Sequence, residues 1–217
     1  MSSKSTNTVV ISILMTLAVM ASLTIETKLF AANESAVFAE GRDFVTKFPY
    51  EKPKKPQLVE FFSFMCPACF KRETMVLRWK KQKPDSVELL KIPVSFGRPS
   101  WKLAARAFYI AEELNVSDKF SKVMFQKIHI DNVRLGRLAD IEKIFIEMGI
   151  SKADFKKAAS SFAVDSKLRK AEFLAKKYKV PSVPHFLVNF KYEASATSSK
   201  TQESLFRLWN LLPARDF

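Results

Sequence analysis

Apolar and polar positions follow two different patterns along the chain, and the changes between them predict the order of elements. Leu58 to Phe64 is a short apolar and aromatic run typical of a buried strand, and Val87 to Val94 is a second such run. Between them, Pro67 to about Lys81 has a helical pattern, with Pro84 beyond its end. A strand, a helix and a second strand are therefore predicted.

The stretch from Ser100 to Tyr178 has an entirely helical pattern. Its helices are delimited by Ser100, Ser117, Gly149, the capping-box pair Ser151 and Asp154, and a long segment from Val164 to Tyr178. Residues 184 to 192, "PHFLVNFKY", return to a strand pattern, and a last helix is predicted near Gln202 to Leu212. This order indicates an α/β core interrupted by a helical insertion.

The amino terminus has a different composition. Val9 to Ile25 is mostly apolar, follows Lys4, and precedes the small residues Ala31, Ala32 and Ala36. This layout predicts a secretory signal over residues 1–36, without a single obvious cleavage position. An uncleaved membrane anchor is the alternative, because the run is near the lower length limit for a spanning helix. Both place the folded part outside the cytoplasm.

The formal net charge of +14 belongs to the folded part, since residues 1–36 contain equal numbers of basic and acidic side chains. Such a charge favours encounters with acidic proteins or anionic surfaces. Nucleic-acid binding is not expected, because the basic residues are interleaved with acids and no nucleic-acid motif is present. A solvated basic surface is the simpler interpretation.

The chain has two cysteines, Cys66 and Cys69, in the motif "CPAC". Pro67 suits the first turn of a helix, so Cys66 is placed at a helix amino terminus, where free N–H groups and the helix dipole favour a thiolate. Cys69 lies three residues further on the same helical turn, within reach of a disulfide. The pattern predicts Cys66 as the exposed attacking sulfur and Cys69 as the resolving one.

Three other uses of the cysteines compete with redox exchange. A structural disulfide closing so short a loop would restrain little of the unfolded chain. A zinc site needs two more ligands, and His129 and His185 are isolated. A soft-metal carrier, such as a copper chaperone, is the third. Redox exchange is favoured, with no cofactor and no metal.

Four segments, "VEFFSFMCPACF", "KIPVSF", "DIEKIFIEMGI" and "VPHFLVNFKY", resemble the DsbA family of bacterial periplasmic thiol oxidases in order and separation. The resemblance covers about Glu40 to Tyr192. It implies a thioredoxin fold with an inserted all-helical domain. Residues 37–97 and 172–217 would form the thioredoxin-like part, and residues 98–171 the insertion.

The resemblance also implies roles for individual residues. Pro184 would be a cis proline facing the cysteines, and Glu60 a buried acid relaying protons for Cys69, with Lys91 near it. The alternative for Glu60 is a side chain pointing to solvent. Phe64 and Met65 would form an apolar client surface, and His185 would be a strand residue beside the site rather than a catalyst. The residues expected to contact substrate are Pro67, Ala68, Val183, Phe64, Met65 and His185.

The implied reaction is donation of the Cys66–Cys69 disulfide to reduced exported proteins by a monomeric periplasmic oxidoreductase. A quinone-coupled membrane oxidase of the DsbB type would reoxidise it. The alternatives are a disulfide reductase or isomerase with the same dithiol, and a non-enzymatic metallochaperone or binding protein. Ala68 and Phe190 depart from the best-known members of the family, in which a histidine, in the prototype, and a turn glycine occupy these positions.

Replacing Ala68 with His should raise the reduction potential by tens of millivolts. A polar, positively charged side chain between the cysteines stabilises the Cys66 thiolate and therefore the reduced form, and each step of about 30 mV corresponds to about 1.4 kcal/mol. Glutathione equilibrium titration of the wild type and the Ala68→His variant measures the difference. An unchanged or lower potential would show that other groups determine the redox poise.

Overall fold

The computed structural model describes residues 38–48, 54–195, 198 and 200–217. The predicted secretory signal therefore lies outside the described residues. Within these ranges, none of the helices combines the length and the apolar character that crossing a membrane requires.

The described residues form one five-stranded sheet and seven α-helices. The strands are β1 (Phe44–Thr46), β2 (Gln57–Phe62), β3 (Glu88–Pro93), β4 (His185–Val188) and β5 (Tyr192–Ala194). The helices are α1 (Pro67–Gln82), α2 (Pro99–Glu113), α3 (Ser117–His129), α4 (Leu138–Glu147), α5 (Lys152–Ala159), α6 (Phe162–Lys177) and α7 (Gln202–Leu211), and a 3-10 turn follows at Leu212–Asp216.

The sheet order is β1-β5-β4-β2-β3, with β2 and β3 parallel and the other pairs antiparallel. Strand β2 lies inside the sheet, between β4 and β3, and its residues from Leu58 to Phe62 are all buried. Burial on both faces explains why this strand has a continuous apolar pattern. The one charged residue within it, Glu60, lies opposite Lys91 of β3.

Two apolar cores cover the two faces of the sheet. The larger joins Val59, Phe61 and Ile92 of the sheet to helices α2 to α6. The smaller includes Trp79 of α1 and Trp209 of α7, whose rings meet edge to face at 5.6 Å. The predicted α/β core with a helical insertion is thus confirmed. The predicted boundary between residues 171 and 172 falls inside α6, which is continuous.

The prediction of one strand over residues 184–192 was wrong, because the segment folds back as a β-hairpin. Asn189 and Phe190 have φ values of 53° and 56°, and the Lys191 N–H donates to the Val188 carbonyl at 2.9 Å, as in a type I′ turn. The sequence pattern does not reveal this turn, because Phe190 occupies its second central position and continues the apolar run. The Phe190 ring stacks on Tyr178 at 4.7 Å, so packing holds it there.

Replacing Asn189 with Ala should lower the free energy of unfolding by about 3 kcal/mol or more. The buried Asn189 side chain accepts from the Gln57 N–H at 2.9 Å and donates to the Pro213 carbonyl at 2.8 Å and to Asp216 at 3.0 Å. Urea unfolding of the variant measures the loss.

Asn132→Ala is the matched control for Asn189→Ala. Asn132 has the same left-handed conformation, with φ of 58°, but is exposed and makes one longer hydrogen bond, 3.2 Å to the Ile130 carbonyl. Its replacement should cost about 1 kcal/mol. Equal losses in the two variants would show that the buried hydrogen bonds of Asn189 contribute nothing.

Candidate active site

The two cysteines lie where β2 passes into α1. The Cys66 N–H donates to the Ser63 carbonyl at 3.1 Å, and the Met65 N–H donates to the Ser63 hydroxyl at 3.2 Å, so a tight turn connects strand and helix. Helix α1 begins at Pro67 with Cys66 as its N-cap residue. The predicted helix-start position of Cys66 is confirmed.

Burial distinguishes the two sulfurs. Both cysteines are free thiols; Cys66 is 8% exposed and Cys69 is fully buried. Burial raises the pKa of the Cys69 thiol far above its ordinary value, and the nearby Cys66 and Glu60 act in the same direction. Cys69 therefore remains protonated at neutral pH, and Cys66 is the sulfur that a partner thiol can reach.

The loop before β4 faces Cys66. The Val183–Pro184 peptide bond is cis, as the resemblance implied. The Cys66 thiol donates to the Val183 carbonyl at 3.2 Å. The backbone of residues 183 and 184 thus lies directly beside the more accessible sulfur.

Beneath the cysteines, one ammonium group lies between two buried carboxylates. The Lys91 Nζ is 3.3 Å from Glu60 Oε2 and 2.6 Å from Glu73 Oε2. Glu60 is fully buried, so the alternative that it points to solvent was wrong, and the expected proximity of Lys91 is confirmed. Glu73 was missed, although it lies one helical turn beyond Cys69 and therefore on the same face of α1.

Burial raises the pKa of Glu60 to about 7; the positive charge of Lys91 opposes this shift and the charge of Glu73 adds to it. Apart from the Lys91 ammonium, neither Glu60 oxygen has a hydrogen-bond partner among the described residues. For Lys91, burial alone would lower the pKa, but the two carboxylates outweigh it and raise the pKa. Glu60 can therefore gain or lose a proton near neutral pH.

The prediction that Phe64 helps to form an exposed client surface was wrong. Phe64 is 1% exposed, and its ring packs edge to face against Phe120 at 5.8 Å and Phe125 at 4.9 Å. It points into the core shared with the insertion, because the turn after β2 directs it there. Of the other expected contact residues, Met65 is half-buried, whereas Pro67 and Ala68 are exposed.

The two histidines occupy different surroundings. His129 of α3 has its Nε2 at 2.8 Å from the Phe64 carbonyl, and its ring stacks on Phe70 of α1 at 4.9 Å. No sequence signal indicated this link between insertion and active-site turn. His185 begins β4, as predicted, and burial lowers its pKa although Glu193 lies 3.9 Å away. In the part of the chain that the structure describes, no three His, Cys, Asp or Glu side chains form a metal-binding group.

Residues 57–205 match the family described as the DSBA-like thioredoxin domain. The chain belongs to this family. It is 31% identical over 181 residues to the thiol:disulfide interchange protein DsbA of Pseudomonas syringae pv. tomato, covering 82% of this chain and 84% of that protein. It is also 31% identical over 175 residues to DsbA of Azotobacter vinelandii, covering 79% and 81%.

Solved DsbA structures share the fold. A crystal structure of a Pseudomonas aeruginosa DsbA variant superposes with a TM-score of 0.73 at 26% identity, covering 82% of this chain and 98% of that chain. A Proteus mirabilis DsbA variant with a non-covalently bound peptide, PWATCDS, gives a TM-score of 0.73 at 25% identity, covering 82% and 99%. The expected thioredoxin fold with an inserted helical part is confirmed.

In this DsbA-like protein, Glu60 should make the free energy of unfolding depend on pH. Its pKa is raised from the ordinary 4.5 to about 7 in the folded state, so the folded protein binds this proton more tightly than the unfolded chain. The contribution of Glu60 should be most favourable below pH 4.5 and should decline by about 3 kcal/mol as the pH rises through 7. Urea unfolding of the reduced protein between pH 4 and about 8 measures this decline.

Glu60→Gln should flatten that part of the stability profile, because glutamine has the same shape and does not titrate. The surface change Glu147→Gln is the control and should leave the pH dependence unaltered, since Glu147 is exposed. Parallel profiles for the wild type and Glu60→Gln would contradict the raised pKa of Glu60.

Proposed function

We propose that this protein is a thiol:disulfide oxidoreductase that donates a Cys66–Cys69 disulfide to exported proteins during oxidative folding. The observation that carries the proposal is the position of Cys66, which caps α1 while its sulfur lies 3.2 Å from the Val183 carbonyl. A helix amino terminus stabilises a thiolate and therefore the reduced form, which makes the disulfide a stronger oxidant.

In the oxidised protein, a client thiolate attacks the Cys66 sulfur. The Cys66–Cys69 bond breaks, and its electron pair leaves on Cys69, which takes up a proton. A second client thiolate then attacks the client sulfur of the mixed disulfide and releases the Cys66 thiolate. The client loses two electrons and gains a disulfide, and the enzyme gains the two electrons as a dithiol.

Glu60 is proposed to supply the proton that Cys69 needs as it leaves. Burial raises the Cys69 pKa, so an unprotonated Cys69 would be costly, and the Glu60 pKa of about 7 allows this acid to carry a proton at neutral pH. Lys91 then balances the negative charge that remains on Glu60 after it has given up the proton, since the Lys91 Nζ contacts both Glu60 and Glu73.

Clients are proposed to bind as extended segments across two edges of the site. One edge is the backbone at Val183 and Pro184, which would pair with a client strand, and the other is Met65, Pro67 and Ala68. The Proteus mirabilis relative binds the peptide PWATCDS non-covalently, which supports peptide binding by this protein. His185 would support the Pro184 loop from β4 without entering the chemistry.

The proposal also includes export to the periplasm, a monomeric state and reoxidation by a quinone-coupled membrane oxidase. A reductase or isomerase is the alternative; it would use the same dithiol and would differ in the redox state in which Cys66 and Cys69 are kept in the cell. Thiol trapping of Cys66 and Cys69 in intact cells distinguishes the two, because an oxidase is kept oxidised and a reductase or isomerase is kept reduced.

Replacing Cys69 with Ser should trap the first step of the exchange. Without Cys69, a mixed disulfide at Cys66 cannot be resolved by its partner, so covalent adducts with client proteins should accumulate. Non-reducing gels followed by reduction measure these adducts. Cys66→Ser is the matched control and should give none, because Cys69 is fully buried.

Two results would contradict the proposal. One is the absence of adducts for Cys69→Ser, and the other is an equal yield for the two serine variants. Alkylation of the reduced wild type gives an independent measurement, in which Cys66 alone should react rapidly because Cys69 is fully buried.

A further inference from the structure

Helix α6 presents an outer face that combines exposed aromatic rings with positive charge. Phe162 and Phe173 are 78% and 61% exposed, the two highest values among the large exposed apolar residues of the described chain. They are eleven residues apart, just over three helical turns, so their rings project in the same direction about 16 Å apart. Because neither ring is buried, the helix carries apolar surface that does not contribute to the core of the fold.

The cations Arg169, Lys170 and Lys176 lie on the same face, between and beyond the two rings. They are exposed and share the helical spacing of Phe162 and Phe173. The Arg169 guanidinium lies 5.7 Å from the centre of the Phe162 ring. We call these five residues the outer face of α6.

The acids of α6 border this face, since Asp165 lies four residues before Arg169 and Glu172 lies four residues before Lys176, but cations of α2 engage both. Asp165 pairs with Arg106 of α2 at 2.8 Å, and Glu172 lies 3.8 Å from Lys102 of α2. Both carboxylates are thus engaged at the side where α6 meets its neighbour. Within the described residues, Arg169, Lys170 and Lys176 form no ion pair with a carboxylate, and because the two acids are paired with Arg106 and Lys102, the surface around the two rings keeps a net positive charge.

The opposite side of α6 is already occupied. Val164, Leu168 and Ala171 are buried in the larger core. The outer face is therefore rigidly presented by a helix that packing holds in place, and binding there needs no rearrangement of the fold.

We infer that the outer face of α6 docks the protein on an anionic lipid surface. Aromatic rings enter the interfacial layer of a bilayer, and lysine and arginine beside them reach the anionic headgroups while their stems contact the acyl region. A purely acidic protein partner would use the cations but would leave the two rings unexplained. The inference does not depend on the disulfide chemistry, since α6 contributes neither cysteine.

Sedimentation with lipid vesicles tests the inference. The full chain should bind vesicles of phosphatidylcholine and phosphatidylglycerol at 3:1 more than tenfold better than vesicles of phosphatidylcholine alone, and 0.5 M NaCl should abolish the difference. The amino-terminal apolar run is identical in every variant, so differences between variants report on the outer face.

The charge-reversal variant Lys170→Glu with Lys176→Glu should bind the anionic vesicles more than tenfold more weakly. Its matched control reverses two exposed lysines elsewhere, Lys122→Glu with Lys143→Glu, and has the same net charge. This control should lose much less binding. Equal losses in both double variants would assign binding to overall charge and overturn the inference.

The aromatic residues are tested separately. Phe162→Ser with Phe173→Ser should also weaken vesicle binding more than tenfold, whereas Ile130→Ser with Ile146→Ser, which removes two other exposed apolar side chains, should leave it unchanged. In a Phe173→Trp variant, brominated lipid should quench the added fluorescence if the ring enters the bilayer.

Three further outcomes would overturn lipid docking. The first is absence of quenching in Phe173→Trp, and the second is undiminished vesicle binding by the Phe162→Ser, Phe173→Ser variant. The third is that the wild type does not bind vesicles but self-associates in ultracentrifugation, and that the same serine variant abolishes this self-association. The last would assign the face to a second copy of the chain. Dithiol oxidation of a peptide in free solution should be the same for every α6 variant, so a failure of the proposed enzymatic function remains distinguishable.

Discussion

The contact of Lys91 with two buried carboxylates is the constraint on which the centre of the structure depends. One ammonium cannot balance both Glu60 and Glu73, and burying a second unpaired negative charge is expensive. The cluster therefore holds a proton until near pH 7, and that proton resides on Glu60, the fully buried member.

This cluster connects three elements that carry the chemistry. Glu60 is in β2, Lys91 in β3 and Glu73 in α1, the helix that begins at the cysteines. The contact of Lys91 with Glu73 attaches α1 to the sheet one helical turn beyond Cys69. The Glu60 carboxylate of the same cluster helps to raise the pKa of the Cys69 thiol. A change in the cluster therefore affects both the thiol and the attachment of the helix. Removing one partner would leave an uncompensated charge, which destabilises proteins by several kcal/mol.

Much of the centre could be predicted from residue patterns because strong local signals coincide there. The continuous apolar run of β2 and Pro67 after Cys66 predicted the strand and the helix start, whereas the burial of Glu60 within that run was expected from the resemblance to the DsbA family. The short strand β1, of three residues, has too few positions to show a period. The direction of Phe64 depends on which side of a turn faces the insertion, and no spacing along the chain contains that information.

The last residues of the chain are tied to the centre of the sheet more closely than their position suggests. The Asp216 carboxylate accepts from Asn189, Lys191 and Tyr192, at 3.0, 2.8 and 2.8 Å. The hairpin that follows the cis Pro184 strand is thereby closed by a side chain next to the carboxyl terminus. Loss of the Asp216 carboxylate would therefore loosen a hairpin that lies 24 to 27 residues earlier in the sequence.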